Sequence, residues 1–475
     1  MDTHSNPRPD HRSAPTHTRI PATGGQEPRT TPPPAACQTA RTGVAESIAL
    51  WLSALDQRFL EREVASRLAV LAPLSGHHLL LLGPPGTAKT MLAERVADMF
   101  DGRLFHTLLT KFSTPEDVFG PLSLPQLERG VYERITECFL PNADLAFVDE
   151  LFKANASILN SLLSILNERV YFNGSRPVRV PLLSLLAASN EIPDEEDGLD
   201  ALDDRLLLRV CVDPLRGPSA FARLVGGTLD DGQGWPAPIP RSQVDALRAE
   251  ASKVGVPDEI VRFVLDLRER LRTSNVTVSD RRWRQSVEIM RTCAAVDGRS
   301  RLEPAHLGVL RYVLWRRPED QGKVIDALRG ALGSLALSEV TANGKELDRM
   351  LDEAKRSLDE LNADSTRYRP SYYSATSEQR TSFEQRAQEV LHKAKQTKAA
   401  VEEWRRALEG QLAGPRKLWS PFWTDVLGDL ELTKKAAAVA DHPFIATTIV
   451  ADWPALQTTW KSPVGPTTSP TGEVR

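Results

Sequence analysis

Residues 77–90 decide the fold, and they read His-His-Leu-Leu-Leu-Leu-Gly-Pro-Pro-Gly-Thr-Ala-Lys-Thr. The apolar run Leu79 to Leu82 predicts a short buried strand. Gly83 to Thr90 then fits G-x-x-x-x-G-K-[ST], except that Ala88 replaces the second glycine. An amphipathic helical pattern follows over residues 92–100. Strand, loop and helix in this order form a site where backbone N–H groups bind phosphate.

The residues of this loop have different chemical roles in this interpretation. The part of the backbone that surrounds the phosphates of a nucleotide is formed by six residues: Gly83, Pro84, Pro85, Gly86, Thr87 and Ala88. Lys89 adds a charge that reaches the β and γ phosphates, and Thr90 offers a hydroxyl to Mg²⁺. We expect an ordinary helical backbone at Ala88, which makes alanine acceptable there. Taken alone, the loop leaves a chance glycine-rich turn as the alternative.

Two carboxylates end the later apolar run Leu145-Ala146-Phe147-Val148-Asp149-Glu150. A buried strand that ends in Asp-Glu places both acids at the ligand edge of a parallel sheet. There Asp149 would hold Mg²⁺, through water, and Glu150 would orient and deprotonate the attacking water. The alternative is that both acids are simply solvated at the end of an ordinary strand. The phosphate loop nearby in the sequence argues against this alternative.

Two further polar side chains follow or precede apolar runs. Asn190 ends the run that begins at Pro181, where its amide can hydrogen-bond the γ-phosphate or the lytic water. Arg205 precedes a predicted fifth strand. An arginine there lies opposite the nucleotide of its own chain and can act on that of a neighbour. A surface salt bridge with Asp203 or Asp204 is the simpler alternative for Arg205.

Together these segments resemble the AAA+ ATPases and, within them, the MoxR family, closest to the branch called regulatory ATPase variant A. The resemblance covers about residues 45–320. Besides the phosphate loop and Phe-Val-Asp-Glu (147–150), it rests on Lys-Phe-Ser-Thr-Pro-Glu-Asp-Val-Phe-Gly-Pro-Leu-Ser (111–123), Tyr-Glu-Arg-Ile-Thr (132–136), Leu-Asn-Glu-Arg-Val-Tyr-Phe-Asn-Gly (166–174), Ala-Ser-Asn-Glu (188–191) and Val-Ser-Asp-Arg-Arg-Trp (278–283). The family itself has alanine at the Ala88 position.

The resemblance implies roles for individual residues. It assigns Lys89 and Thr90 to the Walker A motif, and Asp149 and Glu150 to the Walker B motif. It assigns Asn190 to sensor 1, Arg205 to the arginine finger and Arg281 to sensor 2. Arg282 is the alternative for sensor 2. Segments 111–136 and 166–180 match the family's inserts, a loop before the Walker B strand and a β-hairpin before the sensor 1 strand. In the family these inserts project into the pore of a ring.

The predicted fold is an α/β AAA+ core with a five-stranded parallel sheet between helices, followed by an all-α lid and a C-terminal helical arm. The predicted parts are a disordered Pro- and Thr-rich tail (1–43), the nucleotide-binding domain (44–213), the lid (214–320), the arm with a Trp-rich region (321–460) and a second disordered tail (461–475). Apolar residues at 4-3 spacing from Phe383 to Leu408 predict the seam of a long helix in an antiparallel hairpin. Helices are also predicted across the lid, the last from Pro304 to Trp315. The tryptophans beyond residue 400 form a recognition surface or, in the interpretation we favour, close a small core over the arm.

Composition excludes several classes of function. The chain has 59 basic and 63 acidic residues, and a net charge of −4 argues against nucleic acid as the main partner. The sequence contains no apolar stretch long enough for a transmembrane helix, and its N-terminus lacks the apolar core of a signal peptide. Four scattered cysteines, without a C-x-x-C pair, fit neither a zinc ribbon nor a disulfide framework. A reducing cytoplasm fits this cysteine usage best.

The resemblance implies a Mg²⁺-dependent ATPase that binds ATP, assembles into a hexameric ring and remodels a protein partner in the manner of a chaperone. In the family the partner is commonly a protein with a von Willebrand factor A domain. A nucleotide-binding switch with little turnover is one alternative, against which Lys89, Glu150 and Arg205 argue as a set. A nucleic-acid-acting AAA+ protein is the other, and the near-neutral charge argues against it.

Overall fold

The computed structural model describes residues 35–191, 200–227, 234–332, 335, 338–368, 376–414, 416–428 and 431–442. The chain separates into a short N-terminal unit, Met1–Ala40, of which residues 35–40 are described, and a main unit, Arg41–Arg475. Helix α1 (Ala35–Arg58) begins before residue 44, where we had placed the start of the ordered region. Residues 1–34 and the predicted second tail, 461–475, lie outside the described residues.

The core is built on a parallel sheet of five strands, which confirms the predicted fold class. The strands in chain order are β1 (Leu79–Leu82), β2 (Leu104–Leu108), β3 (Leu145–Asp149), the hairpin strands β4 (Val170–Asn173) and β5 (Arg176–Arg179), β6 (Ser184–Ser189) and β7 (Leu208–Cys211). The sheet has the order β2-β3-β6-β1-β7. Strands β1 and β6 are buried along their whole length, as expected where helices cover both faces. Because Leu82 pairs with both Ser189 and Cys211, three strands end at the same edge.

The core contains seven described helices. They are α1, α2 (Glu63–Ser75), α3 (Lys89–Met99), α4 (Pro115–Phe119), α5 (Leu124–Leu127), α6 (Ala156–Glu168) and α7 (Asp200–Asp203), with 3-10 turns at Leu140–Asn142 and Leu151–Lys153. Of these helices, α2 and α3 pack directly against the sheet. Helix α6 begins at Asn155, whose side-chain oxygen accepts the Ile158 N–H at 3.1 Å. The Asn155 amide also donates to Ser113 O at 2.7 Å, so this cap fastens the loop before β3 to the start of α6.

The loop before β3 and the β4–β5 hairpin are joined to each other. The Arg134 N–H donates to Asn173 Oδ1 at 2.7 Å, and the Asn173 amide donates back to Arg134 O at 3.0 Å. Gly174 has a φ of +63°, and a Cβ there would lie 2.0 Å from Tyr132 O, so only glycine fits this approach. The predicted hairpin is confirmed, and its turn is attached to the neighbouring loop.

Helices alone form the next part of the chain. They are α8 (Pro218–Val225), α9 (Arg241–Ala251), α10 (Asp258–Thr273), α11 (Asp280–Val296), a 3-10 helix at Pro304–Tyr312 and α12 (Asp320–Ala331). We had predicted an ordinary amphipathic helix from Pro304 to Trp315. The segment is 3-10 because short i→i+3 bonds form, such as His306 N–H to Glu303 O at 3.0 Å. Among the described residues no helix is both long and apolar enough to cross a membrane.

The arm begins with two long helices, α13 (Ser338–Tyr368) and α14 (Ser377–Ala413). Their antiparallel direction follows from two ion pairs, Arg386–Glu360 at 3.3 Å and Lys393–Glu353 at 2.6 Å. The predicted seam is buried at Ala387, Ala394, Thr397, Val401 and Leu408. The hairpin is not complete in itself, because a third helix further along the chain (Glu431–Ala440) buries Ala436 and Val439 in the same cluster.

Residues 412–428, which we call the C-terminal strap, connect the arm to the rest of the protein. The strap contains a 3-10 helix at Ser420–Trp423 and α15 (Thr424–Gly428), so the third helix of the arm is α16. Trp419 and Trp423 are fully buried, and the Trp423 indole N–H donates to Ala305 O at 3.1 Å. Arg67 of α2 donates to Leu418 O at 2.6 Å. These two tryptophans belong to a core that also holds Leu408 and Leu412 of α14, so the core that they close lies between the arm, the lid and α2. Trp453 and Trp460 lie outside the described residues.

Candidate functional site

The phosphate loop leaves β1 through backbone conformations that few residues adopt. Gly83 has a φ of +148°, and a Cβ there would lie 2.2 Å from Val212 O. Ala88 has φ +65° and ψ 23°, which is left-handed, so our expectation of a helical backbone there was wrong. This conformation costs a non-glycine residue about 1–2 kcal/mol. The loop imposes it at the residue just before α3, and strain of this kind is typical of ligand-binding turns.

Lys89 is held inside the loop. Its Nζ donates to the carbonyl oxygens of Gly83 and Pro84, at 2.8 Å each. Burial lowers the pKa of Lys89, and the charges of Asp149 and Glu150 oppose that shift. Among the described residues the ammonium donates only to backbone carbonyls and to Thr87 Oγ1, so its charge can be used by a phosphate that enters the loop.

The two acids lie at the end of β3, as predicted. Asp149 Oδ1 accepts the Glu150 N–H at 3.0 Å. Glu150 has a left-handed φ of +53°, which turns the chain sharply after the strand. Its Oε1 accepts the Asn190 amide at 2.8 Å, and its Oε2 lies 3.3 Å from Lys153 Nζ. The structure thus brings Asp149, Glu150 and Asn190 together beside Lys89.

The oxygen atoms at this edge suit Mg²⁺. Thr90 is the second residue of α3, and Asp149 ends β3. Within the described part of the chain, no group of three or more His, Cys, Asp or Glu is arranged to hold a metal ion. A site with one hydroxyl and one carboxylate fits Mg²⁺, which takes oxygen ligands and fills its remaining positions with phosphate and water.

A cavity of about 180 Å³ lies beside the loop. Its lining combines apolar residues, among them Val64, Ala65 and Val212, with four charged residues: Glu61, Arg62, Asp213 and Arg216. The Arg62 Nε lies 3.4 Å from Thr87 O, which places the cavity next to the phosphate loop. Sequence reasoning missed this cavity, because no local pattern relates the start of α2 to the end of β7.

Arg205 and Arg281 lie together, on either side of Asp204. Arg205 Nη1 is 3.4 Å from Asp204 Oδ2, the salt bridge foreseen as the simpler alternative, and Arg281 Nη1 is 3.9 Å from the same oxygen. Arg281 also donates to Asn167 Oδ1 at 2.8 Å. Burial lowers the pKa of Arg205, and the charge of Arg281 lowers it further. Among the described contacts, no hydrogen bond or ion pair joins either arginine to Lys89 or Glu150.

Two neighbouring arginines are bound within their own chain. Arg282 is 2% exposed and donates to Leu207 O at 3.1 Å and to Val313 O at 2.6 Å. Burial lowers the pKa of Arg282 to about 9. Arg209 is fully buried and pairs with Asp203 at 2.8 Å. Both side chains stabilise the fold, which leaves Arg281 as the exposed candidate for sensor 2.

A five-stranded parallel sheet with a phosphate loop, an acidic strand end and a following helical lid defines the class of AAA+ ATPases. Residues 46–235 match the family described as "MoxR domain in the MoxR-vWA-beta-propeller ternary systems", and residues 259–328 match an AAA lid domain. The chain belongs to the MoxR family of AAA+ ATPases.

Several known proteins are similar to the chain. Two uncharacterised proteins of Methanocaldococcus jannaschii are 36% identical over 267 and 274 residues, which cover 56% and 57% of this chain and 69% and 72% of theirs. The chaperone MoxR1 of Mycobacterium tuberculosis is 32% identical over 143 residues, covering 29% of this chain and 37% of its own. A crystal structure of a candidate ATPase from Cytophaga hutchinsonii superposes with a TM-score of 0.51 at 15% identity, over 63% of this chain and 97% of that one. At that identity the likeness concerns the fold alone.

Proposed function

We propose that this protein hydrolyses ATP with Mg²⁺ and uses the reaction to remodel a protein partner. The observation that carries the proposal is the hydrogen bond of 2.8 Å between Asn190 and Glu150, next to Lys89. Glu150 orients the attacking water and takes its proton, while the Asn190 amide fixes the carboxylate in position. Thr90 and Asp149 hold Mg²⁺, which neutralises charge on the phosphates.

We infer the orientation of the bound nucleotide from the neighbouring cavity. Its apolar side chains offer a surface to a flat base, and the loop and the N-terminus of α3 offer N–H groups to the phosphates. A nucleotide in this position extends from the cavity, past Thr87, to Lys89 and Glu150. The reacting phosphate then lies at the edge of the sheet where β3 and β6 end.

The positions of Arg205 and Arg281 support assembly of several chains. Both flank Asp204 and have no described contact with the chain's own Lys89 or Glu150. We infer that both guanidinium groups act on the nucleotide of the next subunit, where they stabilise charge on the transferred phosphoryl group. A closed ring, a hexamer in the family, gives every site such a neighbour.

The family that matches residues 46–235 is described by its place in systems with a vWA protein and a β-propeller. We propose a protein with a von Willebrand factor A domain as the partner, in the cytoplasm. We also propose that the chain belongs to the regulatory ATPase variant A branch. The inserts expose apolar side chains that suit contact with protein: Phe112, Leu124, Tyr132 and Phe172. Phe112, which is 91% exposed, is the most accessible of these.

Phosphate release from ATP, measured with Mg²⁺ and with a chelator over a range of protein concentrations, tests hydrolysis and assembly together. We expect Mg²⁺-dependent turnover per chain that rises with concentration and then levels off. No release at any concentration would contradict the proposed enzyme. Equal turnover per chain in dilute monomer and in concentrated protein would contradict the ring.

A further inference from the structure

Arg62, at the start of α2, is a buried arginine whose described acceptors are all backbone carbonyls. It donates to Asp213 O at 2.6 Å, to Glu61 O at 2.9 Å and to Thr87 O at 3.4 Å. Its side chain lines the cavity beside the phosphate loop. The guanidinium therefore lies between the cavity on one side and the loop residue Thr87 on the other.

The Arg62 guanidinium forms no ion pair with the described residues. No carboxylate there lies within ion-pair distance, although Glu61 is its neighbour in the chain. The Glu61 carboxylate is used elsewhere, because it accepts the N–H groups of Arg216 at 2.8 Å and Gly217 at 2.7 Å. Burial lowers the pKa of Arg62, and the charges of Glu61, Asp213 and Glu63 oppose that shift. Two other buried arginines are paired with carboxylates, Arg67 with Asp56 and Arg209 with Asp203, at 2.8 Å each. Arg248, like Arg62, donates to backbone carbonyls, but it does not line the cavity.

A buried cation without a counter-ion is costly, and a ligand that supplies negative charge removes the cost. Three N–H groups of Arg62 are used by carbonyls, and a guanidinium has five. Lys89 lies on the other side of Thr87. Its described acceptors are two backbone carbonyl oxygens and Thr87 Oγ1. Two cations thus flank one loop residue.

We propose that Arg62 is a binding residue for the phosphate chain of the nucleotide, on the side of the cavity. This inference rests on the proposed function, since it concerns the same site. Arg62 holds the phosphates nearest the base, and Lys89 holds those at the reacting end. By its bonds to Thr87 and Asp213 it also ties the phosphate loop to the end of β7. An uncharged nucleoside has no phosphate for this guanidinium to bind. A comparison of charged and uncharged ligands therefore distinguishes a phosphate-binding role from a purely structural one.

The test compares ATP, ADP and adenosine by calorimetric titration of the full-length wild type, Arg62→Gln and Arg62→Lys. We expect Arg62→Gln to weaken ATP and ADP by about tenfold or more, because a charge-assisted hydrogen bond contributes about 1.5–3 kcal/mol. Adenosine should change less than about twofold. Arg62→Lys restores the charge and should recover part of the loss for ATP and ADP.

Arg248→Gln is the matched control. Arg248 is another buried arginine that donates to carbonyls, those of Pro73 and Leu74, but it lies outside the cavity lining. Its loss should lower thermal stability and leave the three affinities unchanged.

Two results would overturn the inference alone. In the first, Arg62→Gln binds ATP and ADP as the wild type does. In the second, adenosine and ATP weaken by the same factor and Arg62→Lys restores neither, which is what a purely structural role predicts. A wild type that binds none of the three ligands would overturn the proposed function, and this inference with it.

Discussion

The side-chain amide of Asn190 donates to Glu150 Oε1 at 2.8 Å, and this bond joins the ends of two adjacent strands, β6 and β3. The two residues are forty positions apart in the chain. They meet because parallel strands place their carboxyl ends at one edge of the sheet. The bond orients the carboxylate that we propose as the base, and it makes Glu150 the residue to change first.

We expect Glu150→Gln to bind ATP normally and to lose hydrolysis, by roughly 10²–10⁴-fold, because an amide keeps the shape of the carboxylate but cannot accept the proton. Phosphate release and nucleotide titration measure the two effects separately. Lys89→Ala is the contrasting variant and should weaken binding itself, since it removes the charge at the phosphates. Hydrolysis at the wild-type rate in Glu150→Gln would show that another group is the base.

Arg281 and Arg282 are adjacent but differ in exposure, and their alanine variants should fail in different ways. Arg281→Ala removes an exposed charge beside Arg205, so we expect a stable protein with reduced turnover. Arg282→Ala leaves the carbonyls of Leu207 and Val313 without a donor, so we expect a loss of about 1–3 kcal/mol in the free energy of unfolding. Chemical denaturation and ATPase rates at matched folded fraction would distinguish them. Normal stability together with the larger loss of turnover in Arg282→Ala would reverse the assignment.

At the contact between the strap and the lid, Gly308 leaves no room for even one added methyl group. A Cβ at Gly308 would lie 2.8 Å from the Trp423 indole nitrogen and 3.1 Å from Phe422 Cβ, both buried. We expect Gly308→Ala to cost about 1–3 kcal/mol and to expose the strap to limited proteolysis, because the indole cannot move without losing its own packing. Gly410→Ala, in α14, is the matched control: a Cβ there meets nothing within 4 Å, and a small gain in helix stability is expected. An unchanged proteolysis pattern in Gly308→Ala would mean that the strap is not held there.

The sequence alone predicted the parts of this protein that depend on local pattern. Buried runs such as Leu79 to Leu82 became strands, and the 4-3 spacing in α14 became a buried seam. The acids of β3 and Asn190 were predicted together, because strand polarity decides where their side chains lie. The left-handed backbone of Ala88 was not predicted, since the closed loop imposes it on an ordinary residue. Arg62 was missed as well, because only the tertiary fold brings it to Thr87.

The same distinction applies to the C-terminal region. The periodic pattern of α14 predicted a helix and its buried face, but it did not specify which elements would cover them. Helix α16 completes the arm, and Trp419 and Trp423 pack over the lid. Such contacts depend on how the connecting turns direct the chain, which composition and periodicity do not encode.

A substitution of Arg205 tests ring assembly and the proposed catalytic role of this residue in one experiment. Within the part of the chain that the structure describes, its buried Nε has no hydrogen-bond partner, and its contact with Asp204 is long, at 3.4 Å, so a phosphate could replace that contact. If that phosphate belongs to the neighbour's nucleotide, Arg205→Ala should bind ATP normally and lose hydrolysis, by up to roughly 10³–10⁵-fold. Turnover and ATP affinity of the purified variant measure this.

Mixing Arg205→Ala with Glu150→Gln subunits then separates action between chains from action within one chain. Each variant alone lacks one half of every site. In a mixed ring, the intact Glu150 of an Arg205→Ala subunit can face the intact Arg205 of a Glu150→Gln neighbour, so some activity should return. If activity stays absent although subunit exchange is shown by labelled chains, Arg205 acts within its own chain. Arg209, four residues further on, is not available for the role at the neighbour's site, because it is fully buried and paired with Asp203.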